Sequence, residues 1–507
     1  MMSPKFTQAA CMLAFVAATC VVSRPCDAAD APVTVKDTAF IAKTVSAIVK
    51  RHPMRTAQLG VAVIEVRTGR RIFMRQAEHE FAPASNFKLL DAATALAYLG
   101  AGFRYHTELL ARGPVSGGVL NGDLILVGGG DPVLTRGDVR AAAAAVKAAG
   151  IQTVGGSVLA DGAIFDGQRY GSGWAWDDMP YYYQPPIQAL AVDEGTVGVT
   201  AAPGTSVGAA VSTALERDPG SMSIFSTATT SAAHGPSDVD CFRSPGSTTI
   251  TIVGHVRLGS RPEVFRCAVE DANEDAVAIL RQALQDAGVT AGVSPRGPAP
   301  ANIARDVADD GPAPPPVAVR YPGATTVWEH ASPTVAELIK RMMPPSDNFI
   351  AEHLFKMLPL AAWGRRGSFE GGAAVERRFI ASLGFSPDTI DNGDGSGLSQ
   401  GDRITPLDIA ALLRWEATSK GGGAFVHSLA KAGINGTVRK HLRGTDAVGR
   451  VLAKDGYIWH VSTFSGYAQS KRHGTIVFSV MFNDANGSLK PFLRSEDEIV
   501  KAIVDMP

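Results

Sequence analysis

The chain has 507 residues, and its 48 Lys and Arg nearly balance 49 Asp and Glu, for a formal net charge of −1. That balance argues against a protein held to nucleic acid by a basic face. The length allows two or three domains, and no Cys/His cluster or HExxH has metal-site spacing, so no metal is expected.

The N-terminus places Lys5 before an apolar run from about Ala9 to Val22, followed by small residues. This reads as a secretory signal peptide, residues 1–28, with Cys26-Asp27-Ala28 or Ala29-Asp30-Ala31 before the cut. The run is short for a membrane span, so an exported, periplasmic protein is expected. Of five cysteines, Cys11, Cys20 and Cys26 fall in the leader, which leaves Cys241 and Cys267. An exported pair can form a disulfide, and the sequence leaves this open.

Val35 to Lys50 reads as a helix. QLGVAVIEV then alternates like a strand, Arg67 to Arg70 form a turn, and RIFMRQ returns as a second strand. This hairpin delivers the chain to PASNFK, residues 83–88, where Ser85 stands three residues before Lys88. The Leu/Ala-rich LLDAATALAYLG that follows predicts a helix, with Ser85 at or just inside its start. Positions i and i+3 share a helix face, so the Lys88 amine can reach the Ser85 hydroxyl. A serine is a poor nucleophile until a base takes its proton, and a desolvated lysine can be that base. Free N–H groups at a helix start favour an oxyanion.

From about Phe103 to Val319 the chain changes to short strand-like runs with Gly-rich turns, and a few helices such as Asp138–Ala149. GGGD at residues 128–131 lacks the Lys and Ser/Thr of a phosphate loop and reads as a turn. A Pro- and Ala-rich linker covers 293–316, and helical patterns resume at Thr334–Met343 and Asn348–Leu358. Near the C-terminus two strands turn at Lys471–Gly474, and a last helix begins at about Ser495. Domains are therefore expected at 32–102 with 320–507, and at 103–319 for a β-rich insertion. Along this order, Ser-x-x-Lys at Ser85 is followed by Ser346-Asp347-Asn348 and then Lys454-Asp455-Gly456. That is the sequence of elements a serine–lysine acyltransferase requires. A second Ser-x-x-Lys, Ser428 to Lys431, comes after the Ser-Asp-Asn element and is expected to be structural.

With PASNFK, GDLILVGGGDPVL, WAWDDMPYYYQPPIQAL, PPSDNFIAEHLFK, DGSGLSQ, AGINGTVRKHLRGT and GRVLAKDG in order, the chain resembles the class C low-molecular-mass penicillin-binding proteins. These are D-alanyl-D-alanine carboxypeptidases/endopeptidases. The resemblance implies an α+β transpeptidase domain of the DD-peptidase/serine β-lactamase kind, an antiparallel sheet flanked by helices, with a large β-rich insertion. It implies Ser85 as nucleophile and Lys88 as base. Ser346 relays a proton to the leaving amine, Asn348 holds the substrate backbone, and Lys454 supplies positive charge. The N–H groups of Ser85 and Tyr457 form the oxyanion hole. Substrates are peptidoglycan stem peptides, β-lactams act as covalent inhibitors, and no organic cofactor is needed. Peripheral membrane association and a homodimer stay open. Asp178 and Tyr183 are implied to bind diaminopimelate; packing of an aromatic-rich turn is the equal alternative.

Two positions depart from the family. Asp455 stands where Thr usually helps receive the terminal carboxylate, between Lys454 and Gly456, and Gln400 stands where an Arg usually follows DGSGLS. Both changes remove carboxylate-binding groups. They motivate a competing expectation, a non-hydrolytic peptidoglycan-binding protein on the same fold. A β-lactamase or esterase is a third reading, and with no deacylating glutamate evident, β-lactam turnover should be slow.

Overall fold

The computed structural model describes residues 31–217, 222–292 and 311–507; the expected signal peptide lies outside them. Helix α1 (Val35–Ile48) leads to the hairpin β1 (Gln58–Glu65) and β2 (Arg71–Arg75), and then to α2 (Lys88–Tyr98). After the insertion come α3 (Asn348–Trp363), β3 (Ala430–Lys431), β4 (Val451–Ile458), β5 (Val461–Gln469), β6 (Thr475–Asn483) and α4 (Lys490–Val504). The six strands form one antiparallel sheet in the order β3-β4-β5-β6-β1-β2. β1 pairs with β6 from Gln58↔Asn483 to Glu65↔Ile476, so both chain ends build the sheet.

Successive side chains alternate faces. Val61 and Val63 join Phe464, Phe478, Ile499 and Ile503 in the core under α1 and α4. Ala62 and Ile64 join Leu89, Leu413 and Met481 on the other side. Both faces of β1 are thus covered, so its run is almost continuously buried rather than alternating between core and solvent. α2 lies in the middle of the second core, with every residue from Lys88 to Ala95 buried. A helix apolar nearly all round belongs in an interior, and this one carries Lys88 and Asp91 inside with it.

α3 runs on past the expected end at Leu358 to Trp363, through Pro359, and stops at Gly364, whose φ of 64° is left-handed. The Pro359 ring seats against Gly371 of the next helix, where a Cβ would lie 2.6 Å from it. α4 begins five residues before its expected start, with Pro491 in its first turn, where a missing N–H costs nothing.

The inserted region carries a four-stranded sheet in the order Thr325–Ala331, His106–Arg112, Asp123–Val127, Val158–Asp161, packed on helices Arg136–Ala148 and Ala272–Asp286. Residues 325–331 pair with 106–111, so this sheet extends past residue 320, where the return of the chain was expected. Smaller sheets use Thr196–Ala202 with Glu263–Ala268, and Asp240–Phe242 with Thr249–Val253.

Candidate active site

Ser85 sits in a 3-10 turn, Ala84–Phe87, that runs straight into α2, so the α-helix starts at Lys88, three positions later than a start at Ser85. Ala84 before it has φ 46°, a left-handed conformation that costs a non-glycine residue about 1 kcal/mol or more and recurs at functional sites. The turn is held from one side by Gly397, whose Cβ, if present, would lie 1.9 Å from the Ala84 carbonyl. From the other side comes Gly456 of β4. A Cβ there would lie 2.9 Å from both the Pro83 carbonyl and the Ser85 amide, so only glycine lets the strand approach the backbone of Ser85.

The Lys88 amine is fully buried and has three oxygen partners. It lies 3.1 Å from Ser85 Oγ, 2.7 Å from Asn348 Oδ1 and 2.8 Å from the Ser396 carbonyl. An ammonium has three hydrogens and fills all three contacts. A neutral amine donates to the two carbonyl oxygens and turns its lone pair to the serine hydroxyl. Burial first, and then the charge of Lys454, lowers the Lys88 pKa to about 7, against the opposing pull of Glu352, Asp394 and Asp347. Nearby Asp91, Glu376 and Asp402 are pushed well above the usual carboxylate range by burial and by neighbouring carboxylates.

Asn348 is the first residue of α3, after Asp347 caps the helix by accepting the Ile350 amide at 3.0 Å. Half-buried Ser346 just before it is left-handed, φ 65°. The Asn348 amide joins two parts of the molecule: its oxygen accepts from Lys88, and its Nδ2 donates to the Tyr183 carbonyl of the insertion at 2.9 Å. Tyr183 in turn donates its hydroxyl to Asp178 at 2.8 Å and stacks on Tyr181, with ring centroids 5.4 Å apart. The aromatic-rich turn therefore packs and also borders the Ser85–Lys88–Asn348 cluster. Gln400 is exposed, and its carbonyl accepts from Arg403 at 2.9 Å.

Lys454 is buried on β4, with its amine 2.5 Å from the Asp455 carbonyl and 3.2 Å from Asp455 Oδ1. The same carboxylate oxygen accepts the Thr437 hydroxyl. Burial alone would raise the Asp455 pKa; Lys454, Thr437 and His441 more than offset this and hold it below the usual value. The carboxylate is therefore charged and set against Lys454. β3 pairs only with Leu452 and Ala453, which leaves the edge of β4 from Lys454 to Ile458 without a strand neighbour. Tyr457, 55% exposed, lies on this edge.

Sequence reasoning gave no role to Ser396, Glu352, Asp394 or Thr437. Glu352, one turn along α3 from Asn348, accepts the Gly395 and Ser396 amides at 3.0 and 2.9 Å and so aims the Ser396 carbonyl at Lys88. Asp394 accepts the Gly397 and Ser399 amides at 2.6 and 2.7 Å and Trp174 Nε1 at 2.6 Å. The DGSGLS stretch was the available signal.

The second Ser-x-x-Lys is not brought to this site. Ser428 is buried at the end of a short helix with its hydroxyl on the Phe425 carbonyl at 2.6 Å, while Lys431 is exposed. Ser428→Ala is expected to leave penicillin labelling unchanged; loss of label in a folded variant would contradict this.

Among the described residues no His, Cys, Asp and Glu group has metal-binding geometry, and no helix is long and apolar enough to cross a membrane. The D-Ala-D-Ala carboxypeptidase 3 (S13) family matches residues 41–308 and 317–501. The D-alanyl-D-alanine carboxypeptidase of Actinomadura sp. (strain R39) is 30% identical over 455 residues, 87% of this chain and 81% of the relative. D-alanyl-D-alanine carboxypeptidase DacB of Haemophilus influenzae is 24% identical over 417 residues, 79% and 80% of the two chains. The crystal structure of penicillin binding protein 4 (dacB) from Haemophilus influenzae has the same fold, with TM-score 0.78 at 22% identity over 91% of this chain and 99% of that one. A buried lysine beside a serine at the head of a helix packed on an antiparallel sheet, and a match across most of the length, place the chain in the D-Ala-D-Ala carboxypeptidase 3 (S13) family of serine peptidases.

Proposed function

We propose that the protein is an exported, periplasmic carboxypeptidase/endopeptidase that cleaves peptidoglycan stem peptides through an acyl-enzyme on Ser85. The observation that carries this is the buried Lys88 amine, in contact with Ser85 Oγ and Asn348 at once and poised near neutrality. Neutral Lys88 takes the hydroxyl proton as Ser85 Oγ attacks the carbonyl of the penultimate D-alanine. The oxyanion meets the N–H groups of Ser85 and Tyr457. The bond to the terminal D-alanine, or to a cross-linking amine, breaks, and the departing nitrogen receives its proton through Ser346. Water then attacks the ester and frees Ser85. Asn348 and the open edge of β4 hold the peptide backbone, and Asp178 and Tyr183 face its diaminopimelate. β-Lactams acylate the same serine, in line with the Haemophilus influenzae protein, whose structure is also known complexed with a novel beta-lactam. Mass spectrometry of products from defined muropeptides tests the reading. Release of D-alanine or of cross-linked partner is expected. Binding to sacculi with no release would favour the non-hydrolytic alternative instead.

Asp455 bears on which end product dominates. Its charged carboxylate engages the lysine that would otherwise meet a substrate's free carboxylate. Carboxypeptidase activity on pentapeptides is therefore expected to be weak, and Asp455→Thr is expected to raise kcat/KM for D-alanine release about tenfold, the equivalent of about 1.4 kcal/mol in the transition state. An unchanged or lower value would show that Asp455 does not act on the terminal carboxylate.

A further inference from the structure

Cys241 and Cys267 are the cysteines of the described residues, and both are buried thiols in this structure. They come from strands of two different small sheets, Asp240–Phe242 and Glu263–Ala268. What brings them together is the aromatic-rich turn. The Pro180 carbonyl accepts the Ala268 amide at 2.9 Å and lies 3.8 Å from Cys241 Sγ. Tyr181 forms an isolated backbone bridge with Cys267 and donates its hydroxyl to Asp240 at 2.9 Å. Arg243, fully buried, donates to the Ala268 and Met179 carbonyls at 3.0 and 3.2 Å. Both cysteines therefore flank the same short segment, Cys241 through its thiol on the Pro180 carbonyl and Cys267 through its backbone bridge to Tyr181.

We propose that Cys241 and Cys267 are joined by a disulfide in the exported protein, and that this bond staples the two sheets under residues 176–183 and so fixes the Tyr183 carbonyl against Asn348. The disulfide rests on the proposed export, because it needs an oxidising compartment. The two thiols give up two protons and two electrons. A protein disulfide acting as oxidant takes the electrons by thiol–disulfide exchange and leaves as two thiols. Two buried thiols that flank one two-residue segment, Pro180-Tyr181, in a packed core need little movement to reach bonding geometry. The cross-link encloses residues 241–267 and ties the floor of the turn directly to its flank. Reduced, the turn keeps its non-covalent contacts, those of Pro180, Tyr181 and Arg243 among them, and loses the covalent tie.

The test compares mature protein secreted under its own leader with the same chain made without a leader in a reducing cytoplasm. Each is unfolded in an alkylating reagent, with and without prior reduction. Secreted protein is expected to take up no reagent until it is reduced and then to take up two equivalents. Two equivalents without reduction would overturn the disulfide. The staple is read separately, by limited chymotrypsin cleavage at the aromatic residues 176–183. Cleavage is expected to be at least threefold faster in the reduced form, and equal rates would overturn the staple. Neither readout uses enzymatic activity, so a failure of the proposed Ser85 chemistry would appear only as missing penicillin label, with the alkylation and cleavage results still decisive.

Discussion

Ser85→Ala is expected to abolish covalent labelling by a fluorescent penicillin and to drive D-alanine release below detection. Removing the nucleophile leaves nothing to form the ester, and in serine hydrolases loss of that one group costs about as much as removing its whole catalytic cluster. Stability should barely change. The hydroxyl is half-buried and meets Lys88, whose amine keeps Asn348 and the Ser396 carbonyl after the substitution. Thermal unfolding and gel labelling of wild type and variant side by side make the measurement. A stable variant that labels as strongly as wild type would move the acylated residue elsewhere and overturn the mechanism.

Lys88→Met is expected to slow penicillin acylation by about 10²- to 10⁴-fold, the usual range for losing a general base. The wild-type pH profile should carry the same information. The base is the neutral amine, present above its pKa. With that pKa lowered to about 7 by burial and by Lys454, acylation should climb through neutral pH to a plateau and fall about tenfold per unit on the acid side. The variant should lose this limb. Methionine fills similar space without a charge, but it leaves the Asn348 and Ser396 oxygens without their donor, at a cost of roughly 1–3 kcal/mol. Thermal unfolding therefore accompanies the rates. A folded Lys88→Met protein that keeps the acid limb would assign the titration to another group.

The contact between Ser85 and Lys88 was readable in the chain because their spacing is local. Lys88 stands three positions after Ser85, and one helical turn puts them together. The order of the three motifs carried the rest of the cluster. What supports those residues was not readable, for a physical reason. The third partner of Lys88 is a backbone carbonyl, at Ser396, and any residue has one. Its orientation comes from Glu352, 44 positions earlier, through two amides. The Thr437–Asp455 contact likewise depends on the 3-10 turn Thr437–Lys440 meeting β4, which no local pattern encodes. In the fold, the hairpin and most helices follow from periodicity. The strand at residues 325–331 does not, because its exposed, mixed side chains give no alternation, and only pairing with residues 106–111 reveals it.

The pairing of β1 with β6 sets a clock on the enzyme's appearance. From the end of β1 at Glu65 to the start of β6 at Thr475, roughly 400 residues must be made. At ~5–20 residues per second that is roughly 20–80 s. For that interval β1 presents an unpaired apolar edge, the kind of surface that recruits strands from other chains. Ser85 and Lys88 exist early in synthesis, yet Lys454 and the Gly456 approach that complete the cluster come with the last strands. Topology thus completes the edge of β1 and the surroundings of Ser85 with the same late strands.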